Sequence, residues 1–362
     1  MKVVLHIGLP KTGSTSIQAT LAQKRRDLAR AGIFYPRLAG FHHHNLLALP
    51  FGKRKLPRAF QLQLASYEQA RELAERAWKT VAAETARKKP KTVVLSGEYF
   101  WKVQRHRALR QQLSEAFPQA TNIEIVAYLR RPSRHYVSML QQLLHASHTI
   151  PAPVRLEYAK VLRRWAKTGN LVLREYAPRH LLNGDIVDDF YVHFLGQPSG
   201  PRPRIATEKN VSLSPESMVV LQRVRRHLHP KDNHIITRNS DRLVAALRDA
   251  ERRVGVRQTP LRLRPRFANH LDQPHADDRR LERSFGFRFV HLKDSAKKGP
   301  IVELPRPTEV EQVVGVDEER LAQIYSATLE VLLETPAKGS VSERLREMWR
   351  VAKRRWPRLF AR

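Results

Sequence analysis

The 362-residue chain contains no cysteine. Disulfide frameworks and thiolate metal sites are therefore excluded, and a reducing compartment is allowed. Acidic residues are scarce beside basic ones: 34 Asp and Glu stand against 66 Lys and Arg, for a net charge of +32. A field of that sign attracts polyanions, whether nucleic acid, anionic lipid headgroups, acidic glycans or a nucleotide cofactor, and charge alone does not choose among them. Long apolar runs are missing too, and no stretch approaches the length of a membrane span. The opening residues MKVVLHIG pass straight into a strand pattern. Without a basic segment leading into a long apolar one, no signal peptide is expected, and the chain reads as soluble and cytoplasmic. Aromatic residues are few at 7%, but 41% hydrophobic content over this length suffices for a sizeable core in one large or two modest domains.

What is present begins at Val3 to Gln18, VVLHIGLPKTGSTSIQ. Val3, Val4, Leu5 and Ile7 form a short apolar run that reads as a buried parallel strand. Gly8 to Gly13 make a tight loop, and Ser14, Thr15 and Ser16 open a helix expected to continue through Ile17, Leu21 and Leu28. A strand, a glycine-bounded loop and a helix N-terminus form an anion site, because unpaired backbone N–H groups and the positive end of the helix dipole face the loop. Phosphate or sulfate suits it. In a Walker A loop, GxxxxGK[ST], lysine follows the second glycine. Here Gly8 and Gly13 keep that spacing, yet Ser14 follows, and the lysine is Lys11 inside the loop.

Two further strand-to-helix junctions carry chemistry. Thr92 to Leu95 (TVVL) runs into Ser96-Gly97-Glu98-Tyr99-Phe100, so Glu98 lies beyond a strand's carboxyl end, where open α/β sheets gather ligands. Ile123 to Leu129 (IEIVAYL) runs into Arg130-Arg131-Pro132 and reaches Ser138 on the helix that follows. Guanidinium forks such as Arg130 meet two phosphate oxygens at once. Before the second junction, Phe41-His42-His43-His44-Asn45 reads as a loop entering a helix around Leu46, Leu47 and Leu49. Three adjacent histidines cannot share one helix face, and no Cys or carboxylate stands nearby at ligand spacing, so a metal site is not expected.

PKTGSTS resembles the 5′-phosphosulfate loop of sulfotransferases that use 3′-phosphoadenosine 5′-phosphosulfate (PAPS), and Arg130 with Ser138 resembles that family's grip on the 3′-phosphate. Pro132 also sits where many members have proline, whereas Arg131 occupies a position that is often Asn or Asp. The resemblance covers the first 195 residues or so and is thin beyond them. It implies a P-loop-type three-layer α/β fold, with a central mostly parallel sheet, helices on both faces and helical C-terminal additions. It implies transfer of a sulfuryl group from PAPS to a hydroxyl or amine of an acceptor, which a glycan, lipid or small molecule could supply. Lys11 would stabilise the leaving phosphate, Thr12, Gly13, Ser14, Thr15 and Ser16 would hold the 5′-phosphate, and Arg130 and Ser138 the 3′-phosphate. Glu98 would be the general base, with His43 or His44 of the histidine loop as other candidates. No metal is needed in this scheme, and no specific nucleic acid is expected as a partner. A P-loop nucleotide kinase or ATPase, and a non-catalytic polyanion-binding protein, remain as readings from other classes.

Elsewhere the pattern predicts a long helix over Gln61 to Arg87, and a helix followed by a strand over Val161 to Tyr176. Leu181 to Phe190 and Lys209 to Glu216 resemble segments of bacterial sulfotransferase-like proteins, with Ser214 capping a helix that starts at Pro215-Glu216. Gln197 to Arg204 is rich in Pro, Gly and Arg and reads as a linker. The chain is accordingly divided into a core, 1–196, a helical part, 197–340, and a basic tail, 341–362. Lys297-Lys298-Gly299 loosely resembles an element that closes over the 3′-phosphate. The tail from Ser342 reads as a basic amphipathic helix that either lies on anionic membrane at the inner face or docks through its tryptophans. No internal repeat is visible.

Overall fold

The computed structural model describes residues 1–38, 41–57, 60, 64–198, 212–231, 233, 237–256, 261–290 and 304–334. Lys297-Lys298-Gly299, most of the Gln197–Arg204 linker and the whole basic tail lie outside the described residues. The chain divides into two compact units. One takes its residues from Met1–Arg131, Leu156–Thr207 and Pro274–Lys298, the other from Pro132–Arg155, Glu208–Gln273 and Gly299–Arg362.

The first unit is built on five parallel strands: β1 (Lys2–Ile7), β2 (Ile33–Phe34), β3 (Thr92–Gly97), β4 (Asn122–Leu129) and β5 (Asn170–Glu175). Their order is β2-β3-β1-β4-β5. The first strand is thus central, with Lys2 in register with Thr92 on one side and Asn122 on the other. All three apolar runs read from the sequence are strands. Their near-continuous hydrophobicity follows from burial on both faces.

The period-two alternation of β1 divides the core. Val3, Leu5 and Ile7 point to one face, with Val93, Leu95, Ile125 and Ala127. That face is covered by α3 (Asn45–Ala48), α4 (Tyr67–Lys88) and α5 (His106–Ala116), through Leu47, Trp78 and Leu109 among others. Val4 faces the other side, with Val94, Val126 and Tyr128, under Ile17 and Leu21 of α1 (Ser14–Gln23) and Leu28 of α2 (Arg25–Arg30). Helices therefore cover both faces of an all-parallel sheet, as expected.

Two helices differ from their expected spans. The first stops at Gln23 and restarts at Arg25, with Lys24 between them outside helical geometry. At the break the Arg25 guanidinium turns back, donating to the carbonyls of Ala22 (3.0 Å) and Tyr35 (3.2 Å) and lying over the Tyr35 ring. The long helix starts at Tyr67, where Ser66 Oγ accepts the Gln69 N–H as an N-cap; residues 61–63 lie outside the described residues.

The second unit is helical. The apolar face of the helix Pro132–Leu144 (Tyr136, Val137, Leu140, Leu144) packs with Met218, Leu221 and Val224 of the helix Pro215–Leu228 and Leu247 of the helix Arg238–Arg253. That packing groups residues 132–155 with the later helices, although they precede position 196. Ser214 caps the helix Pro215–Leu228, accepting the Ser217 N–H at 3.1 Å.

Candidate functional site

The chain leaves β1 toward the β2 edge and leaves β4 toward β5. Neighbouring strands whose connections depart in opposite directions form a switch point, and ligands in open α/β sheets bind beyond the carboxyl ends there. The loop after β1, Glu98 after β3 and Arg130 after β4 all occupy that edge of the sheet.

The loop is held in one shape. Thr12 Oγ1 donates to the Leu9 carbonyl at 2.7 Å, and Ser16 and Ile17 N–H groups donate back to the Gly13 carbonyl. Gly13 has φ of 76°, in the left-handed region, and a Cβ there would stand 3.0 Å from atoms of Ile186 and Tyr176. Gly8 is required by crowding instead: a Cβ would lie 2.5 Å from Ser14 Oγ and 3.3 Å from Glu98 Cγ. That close approach also brings Ser14 and Glu98 together at the loop's first residue.

Helix α1 has no acidic residue in its first turn and no side chain capping its N-terminus. Ser14 and Thr15 precede the first intrahelical hydrogen bonds, so their amides remain free for an anion. The Ser14 hydroxyl is buried and has no hydrogen-bond partner among the described residues. A buried hydroxyl left unpaired at a helix N-terminus is open to a ligand oxygen.

Lys11, Glu98 and Arg130 form one electrostatic group. Lys11 has φ of 69°, and its carbonyl accepts a 2.7 Å hydrogen bond from Arg130 Nη1. The Arg130 guanidinium also lies 5.2 Å from the centre of the Tyr176 ring, and its own carbonyl accepts from the Tyr158 hydroxyl at 2.8 Å. Burial pushes the Lys11 ammonium below the ordinary lysine range, against the Glu98 carboxylate and with the help of Arg130. Burial pushes Glu98 above the ordinary glutamate range, opposed by Lys11 and then Lys102. An acid whose proton affinity is raised, beside a desolvated cation, suits general base chemistry.

The histidine loop divides by role. His44 is buried, its Nδ1 accepts the Ser96 N–H at 2.9 Å, and Nε2 lies 3.0 Å from the Pro36 carbonyl. The first bond requires a bare Nδ1 and the second a protonated Nε2, so no lone pair is left to take a proton from a substrate. His44 is a structural strut rather than a base. Ser96 Oγ in turn lies 2.8 Å from Nδ1 of buried His6, which ties a polar pair beneath the loop. His43 is half-buried, stacks on Phe41 and takes a long 3.5 Å contact from the Asn45 N–H at Nδ1. Burial lowers its proton affinity. Asn45 fastens this segment to the third strand's end, its Oδ1 accepting the Tyr99 N–H at 3.0 Å.

The structure thus brings Lys11, Thr12, Gly13, Ser14, Thr15, Ser16, Glu98 and Arg130 to one edge of the first unit. Ser138 belongs to the second unit, where it is buried in the helix Pro132–Leu144. Tyr176 and Tyr158 are the site residues that sequence reasoning passed over. Tyr176 was accessible to the rule that selected Glu98, since it directly follows β5; Tyr158 had no such signal. Among the described residues, no group of three or more His, Asp or Glu is placed to hold a metal ion, and no helix is long and apolar enough to cross a membrane. Compared with family models, with curated proteins and with solved structures, the chain finds no match in any of the three.

Proposed function

We propose that the protein is a PAPS-dependent sulfotransferase with a P-loop-type fold. The observation that carries this reading is the convergence of Lys11, Glu98 and Arg130 around a helix N-terminus whose buried Ser14 hydroxyl has no partner among the described residues.

The residues present fit the donor. The crowding at Gly8 and Gly13 keeps side chains out of the loop, the first turn of α1 has no acidic residue and no capping side chain, and Lys11 and Arg130 lie beside it. When bound, PAPS supplies a sulfuryl group carried on a phosphate leaving group. Thr12 to Ser16 would hold the 5′-phosphate through amides and hydroxyls. Lys11 would neutralise charge as it develops on the oxygen between phosphorus and sulfur, the role positive charge plays in phosphoryl transfer. Arg130, braced by the Lys11 carbonyl and the Tyr176 ring, would meet the 3′-phosphate with its fork. The same role for Ser138 has the sequence spacing alone behind it. Glu98 would accept the proton of the acceptor hydroxyl as the oxygen–sulfur bond forms.

Calorimetric titration with 3′-phosphoadenosine 5′-phosphate, using ADP and ATP as controls, tests the reading. Wild type should bind the 3′-phosphorylated nucleotide and discriminate strongly against ADP, and Arg130→Ala should lose that discrimination. A charge-assisted fork is worth about 1.5–3 kcal/mol, or roughly ten- to a hundredfold in affinity. Equal binding of ATP, or binding of neither, refutes the sulfotransferase and returns the kinase and polyanion-binder readings.

A further inference from the structure

Beside Glu98, within the first unit, lies a cleft of about 460 Å³, in the size range of small-molecule sites. Its floor is the 3₁₀ turn that starts at Glu98 itself, Glu98–Lys102. Its walls are the loop after Leu49 and the exposed side of the helix Tyr158–Trp165. The walls are pinned: Gln104 and Arg105 N–H groups donate to the Phe51 carbonyl at 2.9 and 3.0 Å, and the Arg105 guanidinium reaches the Pro50 carbonyl. The cleft belongs to the folded frame.

Cations ring it. Lys53 and Lys55 come from one wall, Lys102 from the floor, and Lys160 and Arg164 from the other wall, and none of the lining residues is acidic. Among the described residues Lys160 pairs with Glu157 at 3.4 Å, both exposed, and Lys102 is drawn to the Glu98 carboxylate. Lys53, Lys55 and Arg164 make no ion pair among the described residues. Two aromatic residues, Tyr99 and Trp101, lie on the floor, and Gln104 and His106 add neutral hydrogen-bonding groups. The Lys102 ammonium sits 5.1 Å over the Tyr99 ring, and Trp101 meets Tyr158 edge-on at 6.1 Å.

We infer that this cleft binds an acidic carbohydrate, one or two sugar rings bearing carboxylate or sulfate groups. Each part of the lining answers one part of such a ligand: the Trp101 ring takes the apolar face of a sugar ring, neutral polar groups take hydroxyls, and Lys53 and Lys55 take the anions. A single-stranded nucleic acid asks for a groove that follows a backbone, with stacking platforms at successive bases. Here the cations come from three separate segments around a cleft of about 460 Å³, and Lys102 already lies over the Tyr99 ring. As the acceptor side of the transfer, the inference rests on the sulfotransferase reading; as a binding site it stands on the cleft alone. Lys102 also acts on the Glu98 carboxylate, so an anion seated at Lys102 would offset its charge and raise the proton affinity of Glu98.

The experiment is a titration of the full chain with a tetrasaccharide of alternating uronate and N-acetylhexosamine, with maltotetraose as the neutral control and a thymidine tetranucleotide as the strand control. The acidic tetrasaccharide should bind, and both controls should bind at least about tenfold more weakly. A Lys53→Glu, Lys55→Glu double variant should weaken the acidic sugar about tenfold or more, and Trp101→Ala about fivefold. In the same double variant the affinity for 3′-phosphoadenosine 5′-phosphate should stay at the wild-type value, which also reports that the variant is folded. Equal binding of maltotetraose, tighter binding of the oligonucleotide, or an unchanged affinity in the lysine double variant overturns the inference. Sugar binding together with failure of the nucleotide titration in wild type refutes the transferase and leaves the carbohydrate site standing.

Discussion

Acid should unfold this protein through two histidines that lie directly beneath its candidate site. His6 and His44 are both buried, and burial lowers each from an ordinary 6.5 to about 3. Both are neutral in the folded chain at pH 7, and both charge readily once the chain unfolds. The unfolded state therefore binds more protons between about pH 6.5 and 3, and stability falls as pH falls through that window. Each group contributes about 1.4 kcal/mol per pH unit. At pH 4.5 that is about 2.7 kcal/mol for one histidine and about 5 kcal/mol for both, against a total stability of about 5–15 kcal/mol for a typical domain. The geometry supplies the reason: a proton added to Nδ1 of His44 would confront the Ser96 N–H that this atom now accepts. Urea unfolding at pH 7, 6, 5 and 4.5 measures the slope. His44→Asn, whose side-chain oxygen can take the same N–H, should remove about 1.4 kcal/mol per pH unit of that slope relative to wild type. A slope equal to that of wild type would show that His44 titrates normally in the fold, and the buried polar pair would have to be abandoned as the acid-labile element.

Two other outcomes follow from the same geometry. On the proposed sulfotransferase reading, Glu98→Gln should lower sulfuryl transfer by about 10²–10⁴-fold while leaving nucleotide affinity near wild type; a base at Glu98 would work deprotonated and is held above the ordinary glutamate range, so the wild-type rate should fall with falling pH through that raised value, and a pH–rate profile checks it. Asp189 is fully buried and accepts from the Tyr128 hydroxyl (2.8 Å), the Leu182 amide (3.0 Å) and both ends of the Arg174 fork (2.5 and 2.6 Å), so Asp189→Ala should cost about 3 kcal/mol or more and lower the thermal midpoint by several degrees, with unchanged stability as the refuting result.

The central strands were legible because a strand buried on both faces has to be apolar throughout, and Val3–Ile7, Thr92–Leu95 and Ile123–Leu129 are. The site loop was legible for a related reason, since a tight turn between such a strand and a helix needs glycine at fixed places. What stayed hidden depends on partners remote in sequence. The break at Lys24 comes where Arg25 reaches Tyr35 and Ala22, and nothing in the helical periodicity of that segment records it. His44 reads as a candidate base until Ser96, far along the chain, is seen to occupy its ring nitrogen. The grouping of residues 132–155 with the later helices is set by an apolar helix face, and composition does not say which other face will cover it. Tyr176 joins the site only because β5 pairs alongside β4, in register from Glu124 with Asn170.

The central position of the amino-terminal strand sets a schedule for synthesis. Residues 2–7 are made well before their strand partners among the described residues, β3 and β4, which end at Gly97 and Leu129. At about 5–20 residues per second, some 6–25 s separate the two events. Through that interval an apolar segment with an open edge waits on the ribosome, and the glycine-bounded loop directly behind it has no complete sheet to brace it. The loop acquires its shape late, when the fourth strand arrives and Arg130 comes within reach of the Lys11 carbonyl. Nascent chains of this protein shorter than that point should be clients of holding chaperones.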